Sequence, residues 1–196
     1  ALAREFASRG YSIALCARRI EKLESLQQEL VQNNSNIKVI TSALDVNQLD
    51  TVPTALSEIK SRLGNLDIIV ANAGITGVRR TGSGDLTIDK NIIQTNLYGA
   101  IATIDAAIAI FREQGFGHIV GMSSFSAFRG IPGSAAYSAS KAAVTNYLQA
   151  VGAEPRDAQV ALDAATHVHH RGVSDPPRRP NHVARAHHGA PRPRHP

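Results

Sequence analysis

Short apolar runs of strand length alternate along the first 150 residues with longer segments that have helical periodicity. The predicted strands are Ser12–Cys16, Lys38–Thr41, Leu66–Val70 and His118–Met122. The predicted helices are Ala1–Arg9, Ile20–Val31, Leu49–Leu63, Asp89–Phe111 and Tyr137–Val151. Strands that are apolar on both faces and separated by helices are typical of a parallel sheet covered on both sides. Because such crossovers are right-handed, the predicted fold class is α/β, with a doubly wound parallel sheet.

The composition of the chain changes near Val151–Ala153. Residues 1–150 carry 14 Lys and Arg against 12 Asp and Glu, whereas residues 151–196 carry 7 against 4 and hold seven of the nine prolines. We therefore predict a folded domain over residues 1–153 and a Pro/His/Arg-rich tail over residues 154–196. The tail is too poor in apolar residues to offset its chain entropy, so we expect it to be disordered. Within it, Val160–Ala165 fits either a helical extension or a weak strand.

The apolar pattern and the charge distribution exclude several kinds of partner. The longest apolar stretches run to about five residues, far short of the ~20 that a membrane helix needs, so no membrane association is expected. The tail contributes more than half of the net charge of +5, and its arginines have no interleaved aromatic residues that could stack on bases. We therefore expect no nucleic-acid partner.

The chain contains a single cysteine, Cys16. One cysteine excludes an internal disulfide framework and a cysteine-built zinc site, and it fits a reducing compartment. We interpret Cys16 as a buried structural thiol. The first turn carries charged residues rather than a secretory signal, so a cytoplasmic location is expected. The histidines of the tail lack acidic or cysteine partners, and no metal site is expected there.

Tyr137 and Lys141 stand four residues apart in the segment Y-S-A-S-K. On a helix, this spacing places both side chains on one face, one turn apart. An ammonium group beside a phenol favours the phenolate, which can exchange a proton with a carbonyl or an alcohol. Taken alone, the pattern also fits a tyrosine and a lysine on an ordinary surface helix.

Polar and small residues follow two predicted strands at their carboxyl ends, where doubly wound sheets bind ligands. Ser124 follows the fourth predicted strand, thirteen residues before the tyrosine, and its hydroxyl either polarises a carbonyl oxygen or caps a helix. Asn72, Ala73 and Gly74 follow the third, where small residues permit the close approach of a ligand or form an ordinary turn. Asn96, inside a predicted helix, either orders a water or is a satisfied core amide.

Together these residues resemble the short-chain dehydrogenases/reductases, in their shorter subtype. The resemblance covers residues 1–153 and is carried by N-A-G at 72–74, by Asn96 in T-N-L-Y-G, and by Ser124 with Tyr137 and Lys141. It implies a Rossmann-like sheet and an oxidoreductase that acts on a small-molecule carbonyl or alcohol. It also implies a homodimer or homotetramer, because family members commonly pair through the helices that contain Asn96 and Tyr137.

The resemblance implies a role for each polar residue of this group. Tyr137 is the proton donor in carbonyl reduction and the base in alcohol oxidation, while Lys141 tunes Tyr137 and holds the nicotinamide ribose. Ser124 polarises the substrate oxygen, and Asn96 keeps a water in a proton relay. The hydride comes from a nicotinamide cofactor, since no side chain can supply one.

Two arginines indicate which nicotinamide cofactor is preferred. Arg18 and Arg19 follow the first predicted strand, where such folds place an acidic residue for a ribose 2′-hydroxyl or an arginine for a 2′-phosphate. A guanidinium–phosphate contact favours NADP(H) over NAD(H), although both arginines also fit the exposed start of a helix. Asp45 and Val46 resemble the family's adenine-edge contact, and Asn72, Ala73 and Gly74 complete the cofactor side of the implied site.

The sequence departs from the family pattern at both ends. The family's first strand and glycine-rich phosphate loop have no counterpart here, and no glycine occurs before Gly10. The expected sheet is therefore incomplete, with an open slot at its centre. The tail resembles out-of-frame translation of a GC-rich gene, so we expect an N-terminally truncated chain that is frame-shifted near Gly152–Arg156. The alternative to an enzyme is a non-catalytic binding or regulatory protein with the same scaffold.

Overall fold

The computed structural model describes residues 1–154 and 159–166, which form alternating helices and strands. The helices are α1 (Leu2–Ser8), α2 (Ile20–Asn33), α3 (Val52–Leu63), α4 (Thr87–Ile93), α5 (Gly99–Gln114) and α6 (Ala135–Ala153). The strands are β1 (Ile13–Ala17), β2 (Val39–Ala43), β3 (Ile68–Ala71), β4 (Phe116–Ser123) and β5 (Gln159–Thr166). The predicted α/β fold class is confirmed, because every strand pair is parallel and helices connect the strands.

The sheet extends past the domain border predicted at Ala153. β5 pairs with β4 along its whole length, from Gln159 opposite Phe116 to Thr166 opposite Ser123. This pairing identifies Val160–Ala165 as the weak strand rather than the helical extension, and Val160 is buried in the main core. The rest of the predicted tail, residues 155–158 and 167–196, lies outside the described residues.

The described strands form two sheets, and β1 and β3 are edge strands of them. β1 pairs with β2, and β3 pairs with β4, which in turn pairs with β5. The main core contains Ile40 of β2 together with Ile69 of β3, so one core supports both sheets. The open edges of β1 and β3 agree with the predicted incomplete doubly wound sheet.

One long predicted helix is divided by a turn of π-helix. The segment predicted as Asp89–Phe111 forms α4 and α5, with the π turn Gln94–Tyr98 between them. The combined stretch Thr87–Gln114 is long and apolar enough to meet a membrane-span criterion, which a soluble core helix also meets. Ile104 and Phe111 are fully buried in the main core, so α5 acts as a core helix.

The interpretation of Cys16 as a buried thiol is wrong, since its side chain is exposed. Leu15 points to the opposite face of β1 and is buried against α1 and α2 with Ala7 and Leu23. Ala14, on the same face as Cys16, packs against the main core, which does not include Cys16. The apolar run predicted the strand correctly, but it could not show which of the strand's residues the core covers.

We predict that Gly117→Ala lowers the free energy of unfolding by roughly 1–3 kcal/mol, the usual cost of overpacking a core. A Cβ at Gly117 would lie 2.1 Å from the ring of Phe111, which is fully buried and cannot move away. Denaturant unfolding measures the loss. Gly130→Ala is the matched control, because a Cβ there meets nothing within 4 Å. Equal stability of the two variants would contradict the packing described here.

Candidate active site

The carboxyl ends of β3 and β4 and the first turns of α6 line an open cavity of about 220 Å³. Parallel strands carry their carboxyl ends to one edge of the sheet, so residues distant in sequence meet there. The cavity is lined by Asn72, Gly74, Ile75, Thr76, Met122, Ser123, Tyr137 and Lys141. Four of the predicted site residues therefore meet at this cavity: Asn72, Gly74, Tyr137 and Lys141.

Lys141 is buried beneath the cavity, with only 5% of its surface exposed. Its Nζ donates a hydrogen bond to the Met122 carbonyl oxygen at 2.7 Å and lies 5.9 Å from the centroid of the Tyr137 ring. Burial lowers the pKa of Lys141 below the ordinary lysine value. The cation and the phenol thus share one face of α6, one turn apart.

Two neighbouring serines at the end of β4 have different surroundings. Ser123 is buried, and its hydroxyl shares a hydrogen bond of 2.7 Å with the Thr145 hydroxyl on α6. Ser124 Oγ accepts hydrogen bonds from the amide and the hydroxyl of Ser126, at 3.2 and 3.0 Å, and caps the 3₁₀ turn Phe125–Ala127. Because Ser124 only accepts in these contacts, its own proton is left to donate. Ser123, rather than Ser124, lines the cavity.

Asn96 lies in the π turn and is almost fully buried. Its Oδ1 accepts from the Ile75 amide at 2.7 Å, and its Nδ2 donates to the Ile75 carbonyl at 2.9 Å and to Ser140 Oγ at 3.2 Å. The amide is therefore satisfied by protein groups, as in the core interpretation given for this residue. Single π turns inside α-helices occur frequently at functional sites, and this one aims Asn96 at the cavity wall.

Ser140 is a site residue that the sequence did not single out. It is fully buried, donates to the Tyr137 carbonyl oxygen at 2.7 Å, and accepts from Asn96. It therefore ties the turn of α6 that carries Tyr137 to the π turn. The available signal was a hydroxyl within an alanine-rich helix, since such serines bond to the preceding turn.

The other predicted cofactor residues lie at the carboxyl ends of β1 and β2, outside the cavity lining. Arg18 and Arg19 are exposed directly after β1. Asp45 Oδ1 accepts from the Asn47 amide at 3.0 Å and so shapes the turn after β2. Val46 packs against α5, where a Cβ on Gly99 would lie 2.7 Å from its side chain. The two arginines, Asp45 and Val46 therefore form a second group of predicted site residues, in which both arginine side chains are exposed.

The residues present fit the ribose end of a nicotinamide cofactor. Asn72, Ala73 and Gly74 are exposed, and a Cβ on Gly74 would stand 3.4 Å from Lys141 Nζ, in the space above the ammonium. An ammonium, a phenol and an amide side chain supply donors and acceptors that suit sugar hydroxyls. Among residues 1–154 and 159–166, no group of three or more His, Cys, Asp and Glu could hold a metal ion.

Comparison with known proteins gives one consistent result. The family model described as short chain dehydrogenase matches residues 1–166. An uncharacterised oxidoreductase of Mycobacterium tuberculosis is 42% identical over 78% of this chain and 61% of its own length. Another, from Myxococcus xanthus, is 34% identical over 82% of this chain and 63% of its own length. The chain thus spans about three-fifths of these relatives.

Among solved structures, an alcohol dehydrogenase from the archaeon Thermococcus sibiricus, complexed with 5-hydroxy-NADP, is similar to this chain. Its TM-score is 0.76 at 28% sequence identity, and the match covers 85% of this chain and 70% of the archaeal chain. The predicted resemblance and the Rossmann-like fold are both supported by this match.

We predict that Asn96→Ala lowers the free energy of unfolding, because it leaves the Ile75 amide and carbonyl without their partner. Each polar group left unsatisfied costs roughly 1–3 kcal/mol when buried. Thermal or denaturant unfolding measures the change. Asn91→Ala, at an exposed position on α4, is the control and should have little effect. Similar losses in both variants would show that the Asn96 contacts do not stabilise the site.

Proposed function

The chain belongs to the short-chain dehydrogenase family, and on that premise we propose that it transfers a hydride between NADP(H) and a small carbonyl or alcohol substrate. One observation carries this proposal: Tyr137 and Lys141 line the same cavity of about 220 Å³ at the carboxyl edge of the sheet. Doubly wound folds bind their ligands at this edge. No contact among the described residues favours the non-catalytic alternative.

Tyr137 is the proposed general acid and base. Its phenol oxygen gives a proton to the substrate oxygen during reduction and takes one during oxidation. Lys141 supplies a positive charge 5.9 Å from the Tyr137 ring centroid, and burial removes much of the water that would screen this charge. This positive charge would stabilise the negative charge that develops on the phenol oxygen as the proton leaves it.

Ser124 and Asn96 complete the proposed proton-transfer machinery. Ser124 keeps a free hydroxyl proton, which can be donated to a substrate oxygen as negative charge develops on it. Oδ1 of Asn96 has a second lone pair that can hold a water, beside its bond to the Ile75 amide. When bound, a reduced nicotinamide supplies the hydride that no side chain can provide.

We propose that Asn72, Ala73 and Gly74, with Tyr137 and Lys141, hold the nicotinamide ribose. Asp45 and Val46 would contact the adenine. Exposed Arg18 and Arg19 would bind the 2′-phosphate of NADP, since a guanidinium group matches a phosphate with two parallel hydrogen bonds. The archaeal alcohol dehydrogenase complexed with 5-hydroxy-NADP supports this preference. A homodimer or homotetramer and a cytoplasmic location also remain proposals.

We predict that Tyr137→Phe lowers ketone reduction by about 10²–10⁴-fold, the usual contribution of a general acid. The variant keeps the aromatic ring and loses the hydroxyl group, so the fold should be unchanged and NADPH binding should lose only the ribose contact of the phenol. NADPH consumption with a panel of ketones and aldehydes measures turnover. Tyr147→Phe is the matched control, because Tyr147 packs on the core from the same helix. Undiminished turnover in Tyr137→Phe would exclude the proposed role.

We predict that Arg18→Gln and Arg19→Gln each weaken NADPH binding by roughly tenfold or more, the effect of one lost hydrogen bond to a charged group. NADH lacks the 2′-phosphate, so its affinity should stay the same. Fluorescence titration with both cofactors measures the difference. Arg112→Gln, an exposed arginine at the end of α5, is the control. An equal loss for NADPH and NADH would contradict the proposed phosphate contact.

A further inference from the structure

Residues 75–86 form the part of the loop between β3 and α4 that begins at the cavity. Ile75 and Thr76 line the cavity. Farther along, Gly82 and Gly84 adopt φ angles of +87° and +82°, which other residues rarely adopt. Glycines in this region make the backbone flexible, so the position of the loop must depend on contacts with the rest of the protein.

Arg79 makes the largest set of side-chain contacts recorded in this loop. Its Nε donates to Asp89 Oδ2 on α4 at 2.7 Å, and its Nη2 donates to the same oxygen. Its Nη1 donates to the Arg80 carbonyl at 3.1 Å and to Ser83 Oγ at 3.3 Å. One guanidinium group therefore joins the middle of the loop to the helix that follows it.

The backbone of the same residue connects the loop to the turn before α6. The Arg79 amide donates to the Gly133 carbonyl at 3.0 Å. A Cβ on Gly133 would lie 3.0 Å from the Val78 side chain, so the two segments are in close contact. On the other side, a Cβ on Gly77 would lie 2.5 Å from Ile88 of α4. The loop is thus held between α4 and the turn that leads to Tyr137.

Among the arginine–carboxylate ion pairs of the described residues, the Arg79–Asp89 pair is the least exposed to water. The side chains are 16% and 26% exposed, compared with 58% and 40% in the Arg4–Glu29 pair. Partial burial reduces the screening that makes exposed pairs weak. The hydrogen bond from Arg79 lowers the pKa of Asp89, so the carboxylate stays charged at neutral pH.

We propose that Arg79 is a positioning residue that fixes the Thr76 side of the cavity wall, whose Ile75 end is held by Asn96, and thereby sets which carbonyl substrates fit. The part concerning substrates rests on the proposed function. Tyr137 and Lys141 are held by separate contacts, through Ser140 and Met122. Loss of the Arg79 contacts should therefore impair substrate binding and selection far more than proton transfer.

The test compares Arg79→Lys and Asp89→Asn with the intact chain. Lysine keeps the charge but lacks the planar group of donors, so it cannot bond Asp89 and Ser83 together. Hydrogen exchange in residues 76–81 should accelerate about tenfold or more in both variants, the effect of one lost charged hydrogen bond. KM for carbonyl substrates should rise about tenfold by the same estimate, while kcat stays nearly constant.

Two matched variants control for charge and for general stability. Arg80→Lys changes the neighbouring exposed arginine, and Glu113→Gln removes the more exposed Lys60–Glu113 pair. Neither should change exchange in the loop, KM or substrate preference. If Arg79→Lys fails to fold, Asp89→Asn retains the shape of the side chain and carries the test.

Three outcomes distinguish this proposal from the proposed function. Unchanged exchange in residues 76–81 in both variants would overturn it. Faster exchange with unchanged KM and unchanged substrate preference would also overturn it, because the loop would then have no effect on the cavity. In the third outcome, the unmodified chain shows no turnover, yet exchange in the loop is faster in both variants. That result would support the role of Arg79 in holding the wall and would contradict the proposed oxidoreductase activity.

Discussion

The hydrogen bond from the Lys141 ammonium to the Met122 carbonyl joins α6 to the carboxyl end of β4, and the geometry of the site depends on it. A lysine with 5% exposure must find its polar partners inside the protein. This bond sets the position of α6 along the sheet, and with it the position of Tyr137, one turn earlier. Ser123 and Thr145 make a second contact one turn later, so the helix is fixed over two turns.

The elements and the central pair of the site could be predicted from the sequence because both depend on local periodicity. Burial on both faces produces continuous apolar runs, and each predicted strand appears in the structure. The helical repeat alone places Tyr137 and Lys141 on one face. The end of an apolar run also placed Ser124 at the carboxyl end of β4, but the sequence did not indicate its contacts with Ser126.

The remaining features depend on contacts between residues distant in sequence. The π turn places Asn96 against the backbone of Ile75, 21 residues earlier, and no local pattern announces such a pairing. Ser140 matters because it contacts Asn96, 44 residues earlier. Cys16 was misjudged for a related reason, since an apolar run does not reveal how far the covering core extends.

The buried lysine also shows that stability and the proposed chemistry oppose each other at this site. Burial lowers the pKa of Lys141 below its ordinary value of 10.5, so the folded protein binds that proton less tightly than the unfolded chain does. Between the lowered pKa and the ordinary value, this group makes the free energy of unfolding rise with pH, and below the lowered pKa the charged form carries the full penalty. An apolar side chain of similar volume would avoid this cost. The lysine instead keeps a cation beside the Tyr137 ring in a place where water and salt screen it poorly.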